Sequence, residues 1–215
     1  MKINYLGHSC FKIQFDNISV VTDPYTKIGY EMPHLCSDVL TCSHGHYDHN
    51  FIEKVEYTKL YDKSGKFTFE KQGESLDIQA IESWHDEKKG ALRGGNLIFK
   101  FESDGVVVCH MGDIGECVNE QLLEKIGKID ILLIPVGGTY TVDALGASEW
   151  VKKIKPKIII PMHYSQKTCS IDIVGVEEFL KLNSNIQLIK VNKEIHVSKN
   201  LLSEDKKIII EMSGE

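Results

Sequence analysis

The stretch TCSHGHYDHN, residues 41–50, concentrates three histidines and one aspartate within six positions. These four residues are His44, His46, Asp48 and His49. The chain has nine histidines in 215 residues, so a third of them lie in this one segment. Imidazole and carboxylate groups are the usual protein ligands of zinc and similar divalent ions. The segment therefore predicts a metal site rather than a set of solvated polar residues.

The spacing within this segment favours two neighbouring ions. The predicted strand 38–44 runs directly into the cluster. His44 and His46 are two positions apart in extended chain, so their side chains point the same way. Asp48 and His49 begin the predicted helix that follows, and they point to an adjacent place. One short segment can thus contribute ligands to two ions.

Further ligands must come from elsewhere in the chain, and the ends of predicted strands can deliver them. His85 ends the run in ESWHDEKKG, Asp113 follows the one in VVVCHMGDIG, and His163 follows the one in IIIPMHYS. Taken singly, His85 could be an exposed turn histidine, and Asp113 a helix N-cap or turn residue. Because each of the three follows a β run and precedes a loop, we expect them to meet residues 44–49 at one rim of the fold.

Two kinds of segment follow one another along the chain. The first part is rich in β runs, with strands predicted over 2–7, 10–16, 18–23, 38–44, 66–72, 75–84, 96–103 and 105–113, and a short helix over 51–57. The second part alternates helices over 118–127, 142–154 and 174–183 with strands over 129–137, 156–164, 186–192, 194–198 and 206–212. Since every sheet must bury a face, we infer two sheets packed face to face between helical layers.

The composition is that of a globular protein, with 42 % apolar and 26 % charged residues. Its length and the lack of a linker predict one domain over residues 1–215. The net charge of −6, with scattered basic residues, argues against a broad nucleic-acid surface. No apolar run reaches the roughly 18 to 20 residues of a membrane span, and no signal-peptide stretch opens the chain, so we expect a cytoplasmic protein. The six cysteines lack C-x-x-C spacing, and we expect most to be buried, reduced thiols.

The order of these motifs resembles a known family. HGHYDH, the later His85, the Gly112–Asp113 pair and His163 follow the five-part signature of the metallo-β-lactamase fold, and TDP at 22–24 is similar to its first motif. The resemblance covers nearly the whole chain. It implies an α/β (α+β) architecture, a four-layer αβ/βα sandwich, with a dinuclear site at one edge.

The same resemblance implies a role for each ligand. One ion would be bound by His44, His46 and His85, and the other by Asp48, His49 and His163. Asp113 would bridge the two ions, and Asp23 would orient the cluster without binding an ion. The expected cofactors are two divalent metal ions, with zinc as the expected metal and manganese or iron as alternatives.

A narrower resemblance is to the L-ascorbate-6-phosphate lactonase-like branch, which contains many uncharacterised metal-dependent hydrolases. The segments YLGHSCFKI at 5–13, HDEKKGALRGGN at 85–96 and PVGGTYTVDALGA at 135–147 are similar to it. The antibiotic-hydrolysing zinc enzymes carry a cysteine where this chain has Asp113. That difference argues against β-lactam hydrolysis.

The mechanistic hypothesis is a metal-dependent hydrolase, in which a hydroxide shared by two ions attacks an ester, lactone or phosphoester of a small polar substrate. Asp48 would orient the nucleophile and pass its proton, and Asp113 would complete the catalytic centre. Candidate substrate contacts are His8 in a Gly-His-Ser turn, Tyr140 in GGTYT as an oxyanion donor, and Arg93 in ALRGGN as a clamp for phosphate or carboxylate. Each of these three could instead be an ordinary turn or loop residue, and His110 either lines the site or packs behind it.

Three other functions stay open at this level. The first is an iron-dependent thiol dioxygenase on the same fold. The second is a phosphodiesterase or nuclease, against which the acidic charge and the absence of an inserted domain argue. The third is a metal-binding sensor without turnover, against which the complete ligand set argues, since a structural ion normally uses a closed four-ligand site. The expected partner is a small-molecule substrate, with no nucleic acid and no membrane, and a homo-oligomer is compatible with so compact a chain.

Overall fold

The computed structural model describes residues 1–166, 168–203 and 207–213. Within them lie fourteen strands: β1 (Lys2–Gly7), β2 (Cys10–Gln14), β3 (Ser19–Thr22), β4 (Leu35–Thr41), β5 (Val55–Tyr61), β6 (Gly65–Lys71), β7 (Glu74–Trp84), β8 (Gly95–Ser103), β9 (Val106–His110), β10 (Ile131–Pro135), β11 (Ile158–Met162), β12 (Gln187–Asn192), β13 (Glu194–His196) and β14 (Ile208–Ser213). The helices of the same residues are α1 (Glu120–Ile126), α2 (Ala144–Ile154), α3 (Glu177–Leu182), α4 (Lys199–Ser203) and a 3-10 helix, Ile52–Lys54. The strand predicted over 206–212 is β14, and its first residue lies outside the described residues.

The strands form two sheets, which confirms the predicted two-sheet architecture. The smaller sheet has the order β13-β1-β2-β3-β4-β5, and the larger has the order β12-β14-β11-β10-β9-β8-β7-β6. In the smaller sheet, β1 and β3 both run antiparallel to β2, and β4 runs parallel to β3. In the larger sheet, β7 and β9 both run antiparallel to β8, while β9, β10 and β11 run parallel. Strands of common direction therefore present their carboxyl ends at one edge of each sheet.

The main core lies between the two sheets. Alternate residues of β7 point into it, so Leu76 and Ile78 are buried whereas Asp77 is exposed. In β10 both faces are buried. Ile131 and Leu133 belong to the core between the sheets, and their neighbours Leu132 and Ile134 belong to a second core under the helices. The continuous apolar run of this strand is thus explained by its central place in the larger sheet.

Helices α1, α2 and α3 cover the outer face of the larger sheet. Asn119 caps α1 by accepting a hydrogen bond from the backbone of Leu122, and Gly127 ends that helix with φ of 63°. Asp143 caps α2 in the same way, and Trp150 on that helix is fully buried. These caps satisfy backbone groups that the first turns leave free, so the helix boundaries lie close to those predicted.

The outer face of the smaller sheet is covered differently from the prediction. There, Tyr25, Ile28 and Met32 of the loop after β3 pack on the sheet together with the 3-10 helix. The helix predicted over 51–57 is wrong, because that segment is the 3-10 turn followed by the start of β5. Pairing with β4 over the length of β5 outweighs the short helical spacing of apolar residues in this stretch.

None of the helices in the described part of the chain is long and apolar enough to span a membrane. All six cysteines are free thiols. Cys10, Cys42 and Cys109 are buried, whereas Cys36 and Cys117 are exposed, so half of the thiols rather than most of them lie in the core.

Candidate metal centre

Every predicted ligand follows the carboxyl end of a strand, and the structure brings all seven to one rim between the two sheets. Residues 44–49 follow β4, His85 follows β7, Asp113 lies three residues beyond β9, and His163 follows β11. Their nitrogen and oxygen atoms fall into three overlapping groups, within each of which the atoms lie within 4.8 Å of one another. These groups are His44, His46 and His85; His44, His49 and Asp113; and His8, Asp48, His49 and His163.

Asp23 holds two of the histidines in fixed orientation. This fully buried carboxylate accepts hydrogen bonds from the backbone N–H of Ser43 at 2.8 Å and from the Ser43 hydroxyl at 2.6 Å. It also accepts one from Nδ1 of His49 at 2.9 Å. Because the Ser43 hydroxyl donates to Asp23, it accepts from Nδ1 of His44, 2.9 Å away. Both imidazoles thus carry a proton on Nδ1, and each directs its Nε2 at the centre of the cluster.

His85 is oriented by the other wall of the site. Its Nδ1 donates to the backbone carbonyl of Tyr140 at 3.0 Å, and its Nε2 lies 3.4 Å from Oδ2 of Asp113. The side chain of His85 is buried. A glycine makes this approach possible, since a Cβ atom at Gly115 would lie 2.5 Å from the backbone of His85. Nε2 of His85 therefore faces the same centre as Nε2 of His44 and Nε2 of His49.

Asp113 lies at the centre of the cluster. Its Oδ2 is 3.1 Å from Nε2 of His49 and 3.1 Å from Nε2 of His163. Its backbone N–H donates to Oδ1 of Asn96 at 2.8 Å. The preceding Gly112 adopts a φ of +55°, and a Cβ there would lie 2.3 Å from the same Asn96 oxygen. Only glycine permits this turn, so the Gly-Asp pair is required by the packing that presents the carboxylate.

The remaining donors are held by the turn between β1 and β2. His8 is buried at 1 % exposure, and its Nε2 lies 3.3 Å from Oδ2 of Asp48. Its ring packs 4.2 Å from the ring of His163, centroid to centroid. The backbone N–H of His163 donates to the carbonyl of His8 at 2.9 Å. We predicted His8 as a substrate contact, and the structure places it within ligand distance of the Asp48 group instead of on the cleft wall.

The electrostatics of the cluster suit a cation. Burial disfavours the charged form of His49, but the Asp113 and Asp23 carboxylates outweigh it and raise the pKa of His49 well above its ordinary value. Burial also disfavours ionised Asp113, yet His163 and His49 hold the pKa of this carboxyl well below its usual range. Burial lowers the pKa of His44 to about 3. The carboxylates at the centre thus draw a positive charge, which a second proton on His49 supplies in the metal-free protein and which a bound ion would supply in its place. The neighbouring His44 stays neutral at pH 7.

The residues present fit a divalent metal ion. Five buried polar atoms of the cluster have no hydrogen-bond partner within the described structure: Nδ1 of His8, Nε2 of His44, Nε2 of His49, Oδ1 of Asp113 and Nδ1 of His163. Nδ1 of His44 and Nδ1 of His49 are already engaged with Ser43 and Asp23, so their Nε2 atoms are the ones that face the cluster. Buried polar atoms without hydrogen-bond partners are costly to the fold, and a cation would satisfy them.

Several positioning residues carry no recognisable signal in the sequence. Ser43 and Asn96 act through hydrogen bonds, most of them to distant segments, so neither spacing nor residue type identifies them. His110 is explained by its contacts. Its Nε2 donates to the carbonyl of Ser9 at 2.8 Å, and its Nδ1 accepts from the backbone N–H of Gly112 at 3.1 Å. Both nitrogens of this buried histidine are used, so it supports the site and has no lone pair for an ion.

An open cleft of about 550 Å³ lies over the cluster. It is lined by the candidate ligands His46, Asp48, His85 and Asp113, and by Arg93 and Tyr140 among others. The structure thus brings these two predicted contact residues together with the ligands. A volume of this size is that of a small-molecule site, which falls in the range of roughly 300 to 1,000 Å³.

A histidine–carboxylate cluster at the common edge of two facing sheets, open to such a cleft, defines the metallo-β-lactamase class of metal-dependent hydrolases. A family model described as a beta-lactamase superfamily domain matches residues 2–163. The UPF0173 metal-dependent hydrolase Ta0764 of Thermoplasma acidophilum is 30 % identical over 190 residues, which are 77 % of this chain and 84 % of that protein. The chain belongs to the UPF0173 metal-dependent hydrolase family of the beta-lactamase superfamily.

Solved structures agree with this assignment. A Zn-dependent hydrolase of the metallo-β-lactamase superfamily from Thermotoga maritima is 33 % identical, with a TM-score of 0.79 and coverage of 99 % of both chains. CmlA, a diiron β-hydroxylase from Streptomyces venezuelae, is 13 % identical with a TM-score of 0.63, over 97 % of this chain and 52 % of that one. The second likeness shows the fold alone. The predicted fold class is confirmed by these comparisons.

Proposed function

We propose that this metal-dependent hydrolase cleaves an ester, lactone or phosphoester bond of a small polar substrate at a centre of two divalent ions. One observation carries the proposal. The candidate ligands gather in three overlapping groups, and four of them, His46, Asp48, His85 and Asp113, line an open cleft. A purely structural metal site would be closed to solvent, whereas a catalytic one keeps an open position.

The ligand sets follow the donor groups in the structure. His44, His46 and His85 would hold one ion, and Asp48, His49 and His163 would hold the other. Asp113 would contact both, which is supported by its short distances to histidines of each set. The sequence did not suggest His8 as a ligand, but its ring lies in one donor group with Asp48, His49 and His163. Zinc suits an imidazole-rich site, and the relative from Thermotoga maritima is described as Zn-dependent, while manganese and iron are alternatives.

When bound, such ions lower the pKa of coordinated water from 15.7 to near 7 and polarise a carbonyl or phosphoryl oxygen. The protein's own part is to orient groups and to move a proton. Burial disfavours ionised Asp48, but the hydrogen bond from His8 and the charge of His49 outweigh it and hold the pKa of Asp48 below its usual range. Asp48 is therefore a carboxylate at neutral pH, and it lines the cleft, where it can accept a proton from the attacking water.

The test is metal removal and reconstitution. Protein stripped with a chelator should lose hydrolysis of an ester, lactone and phosphoester panel, and should regain it with zinc or manganese. Elemental analysis should find about two ions per chain. His85→Ala should lower both the metal content and the rate, while His196→Ala, which changes a 77 % exposed histidine, should leave both unchanged. Full activity of metal-free protein would exclude the proposal, and oxygen uptake with bound iron would assign the oxygenase chemistry instead.

A further inference from the structure

Arg93 is unusual in both composition and place. The chain has 25 basic residues, and Arg93 is the single arginine among 24 lysines. It lines the cleft over the candidate metal centre. Arginine differs from lysine in its planar fork of five N–H donors, which matches the oxygens of a carboxylate or phosphate in a two-point contact. Every other basic residue of the chain apart from histidine is a lysine, and the single guanidinium group thus lies in the candidate substrate site.

The loop that carries Arg93 is built around the side chain of Asp86. This buried carboxylate follows His85 directly and accepts four backbone hydrogen bonds at 2.8 to 3.0 Å. The donors are the N–H groups of Lys88, Gly90, Leu92 and Arg93. The position of Arg93 is therefore tied through four bonds to the residue next to a candidate ligand.

The guanidinium is held against the opposite loop. Its Nη2 donates to the carbonyl of Thr139 at 3.0 Å, and its Cζ lies 5.6 Å from the ring centroid of Tyr140. The carbonyl of Tyr140 in turn orients His85. Stacking and one hydrogen bond fix the fork and leave most of its donors uncommitted. Among the described residues no carboxylate lies within 4.0 Å of Arg93, in contrast to Lys71, which pairs with Asp38 at 2.6 Å.

We propose that Arg93 binds an anionic group of the substrate, a carboxylate or phosphate that lies apart from the bond that is cleaved. This inference rests on the proposed hydrolase function and narrows its substrates to small oxyanionic compounds. The cleft also contains the exposed Asp172, and the chain carries a net charge of −6. Selection of the anion thus comes from short-range, two-point hydrogen bonding and not from a long-range positive field.

Three 4-nitrophenyl esters test the proposal, because they share a leaving group and a chain length. The acyl parts are adipate, with a carboxylate, 5-phosphonopentanoate, with a phosphonate, and 6-oxoheptanoate, which is neutral. The metal-loaded wild type should show a KM about tenfold lower for at least one anionic ester than for the neutral one. The two anionic arms show whether carboxylate or phosphate is the group preferred.

Arg93→Gln should remove this preference by raising the KM of the anionic ester about tenfold, with kcat little changed. Arg93→Lys should restore part of it, because charge returns without the fork. Lys88→Gln is the matched control, since it removes a positive charge from the same loop on an exposed side chain and should leave all three KM values unchanged. Equal KM values in the wild type, or an equal loss on neutral and anionic esters in Arg93→Gln, would overturn the inference.

Calorimetric titration of adipate and of 5-phosphonopentanoate into metal-loaded protein separates this inference from the function on which it rests. If no ester is hydrolysed, the proposed function fails, yet the titration still tests Arg93. An affinity that falls about tenfold in Arg93→Gln for either anion supports the anion site. Unchanged affinity for both anions, or no binding of either to the wild type, refutes it.

Discussion

Replacement of Asp23 by asparagine is a sharp test of how the centre is organised, because Asp23 belongs to none of the three donor groups. Its Oδ1 accepts from the backbone N–H of Ser43, and its Oδ2 accepts from the Ser43 hydroxyl and from Nδ1 of His49. An asparagine presents one acceptor and one donor at these places. In either orientation of the amide, an N–H group meets another donor. His49 then moves its proton to Nε2, or the backbone of Ser43 loses its partner.

The size of the effect follows from those three bonds. A hydrogen bond to a charged group contributes about 1.5 to 3 kcal/mol and a neutral one about 1 kcal/mol, so three weakened bonds amount to roughly 1.5 to 6 kcal/mol. We expect the free energy of unfolding of metal-free Asp23→Asn to fall by about that amount. Loss of a group that orients a ligand typically lowers metal affinity by about 10- to 100-fold. The same loss is expected here, because His49 would direct a proton at the ion.

Urea unfolding of the metal-free protein and chelator-competition titration of zinc measure the two effects. The chain offers a matched control in Asp38, which also accepts from the backbone and hydroxyl of one serine, Ser19, at 2.8 and 2.9 Å. Its third partner is Lys71 and not a histidine. Asp38→Asn should therefore lower stability and leave zinc affinity unchanged. An Asp23→Asn protein that binds zinc as tightly as the wild type would refute the reasoning.

Three further outcomes are expected. Zinc at one hundred times its Kd should stabilise the native protein by about 2.7 kcal/mol and raise Tm by about 5 to 10 °C, and a Tm that zinc does not change would contradict a folded-state site. Gly112→Ala should lower the free energy of unfolding by about 1 to 3 kcal/mol and weaken zinc binding, because the left-handed turn and the 2.3 Å approach to Asn96 exclude a Cβ. Gly73→Ala is the control, since a Cβ there meets nothing within 4 Å. It should lower stability less and leave zinc affinity unchanged. Metal-free protein should lose stability by up to about 2.7 kcal/mol per pH unit as pH falls from about 6.5 towards 4. The reason is that the unfolded chain takes up protons at His8 and His44, whereas burial keeps both imidazoles neutral in the folded protein. Urea midpoints that do not change over that pH range would contradict this explanation.

The elements that the sequence predicts well are those with a strong periodic pattern. The strand predicted over 129–137 is observed at 131–135, and the helix predicted over 142–154 is observed at 144–154. The error over 51–57 has a physical reason. Strand β5 lies at the edge of its sheet, and most of its residues are partly or fully exposed, so its sequence lacks alternation and only its pairing with β4 reveals it.

The sequence predicts the donor residues of the candidate site but not the residues that orient them by hydrogen bonds. Seven donors could be named because each follows a strand, and strands of common direction end at the same edge. The roles of Ser43 and Asn96 depend on hydrogen bonds between segments far apart in the chain, which leave no local pattern. The four hydrogen bonds to Asp86 come from its own loop. The substrate contact predicted for His8 stays a prediction, and its place beside Asp48 becomes visible only through the packing of its turn against His163. The lactonase-like branch and the identity of the metals stay predictions.

The backbone bond from His163 to His8 and the bond from His110 to Ser9 both cross from the larger sheet to the smaller. The candidate ligands are accordingly divided between the two sheets, and the centre forms only where the edges of both sheets meet. A slip of one sheet over the other by about 0.5 Å would alter all cross-sheet ligand distances together. A change of side-chain volume in the core between the sheets, for example at Ile78, is therefore expected to change the metal affinity, although the residues that bind the ion stay the same.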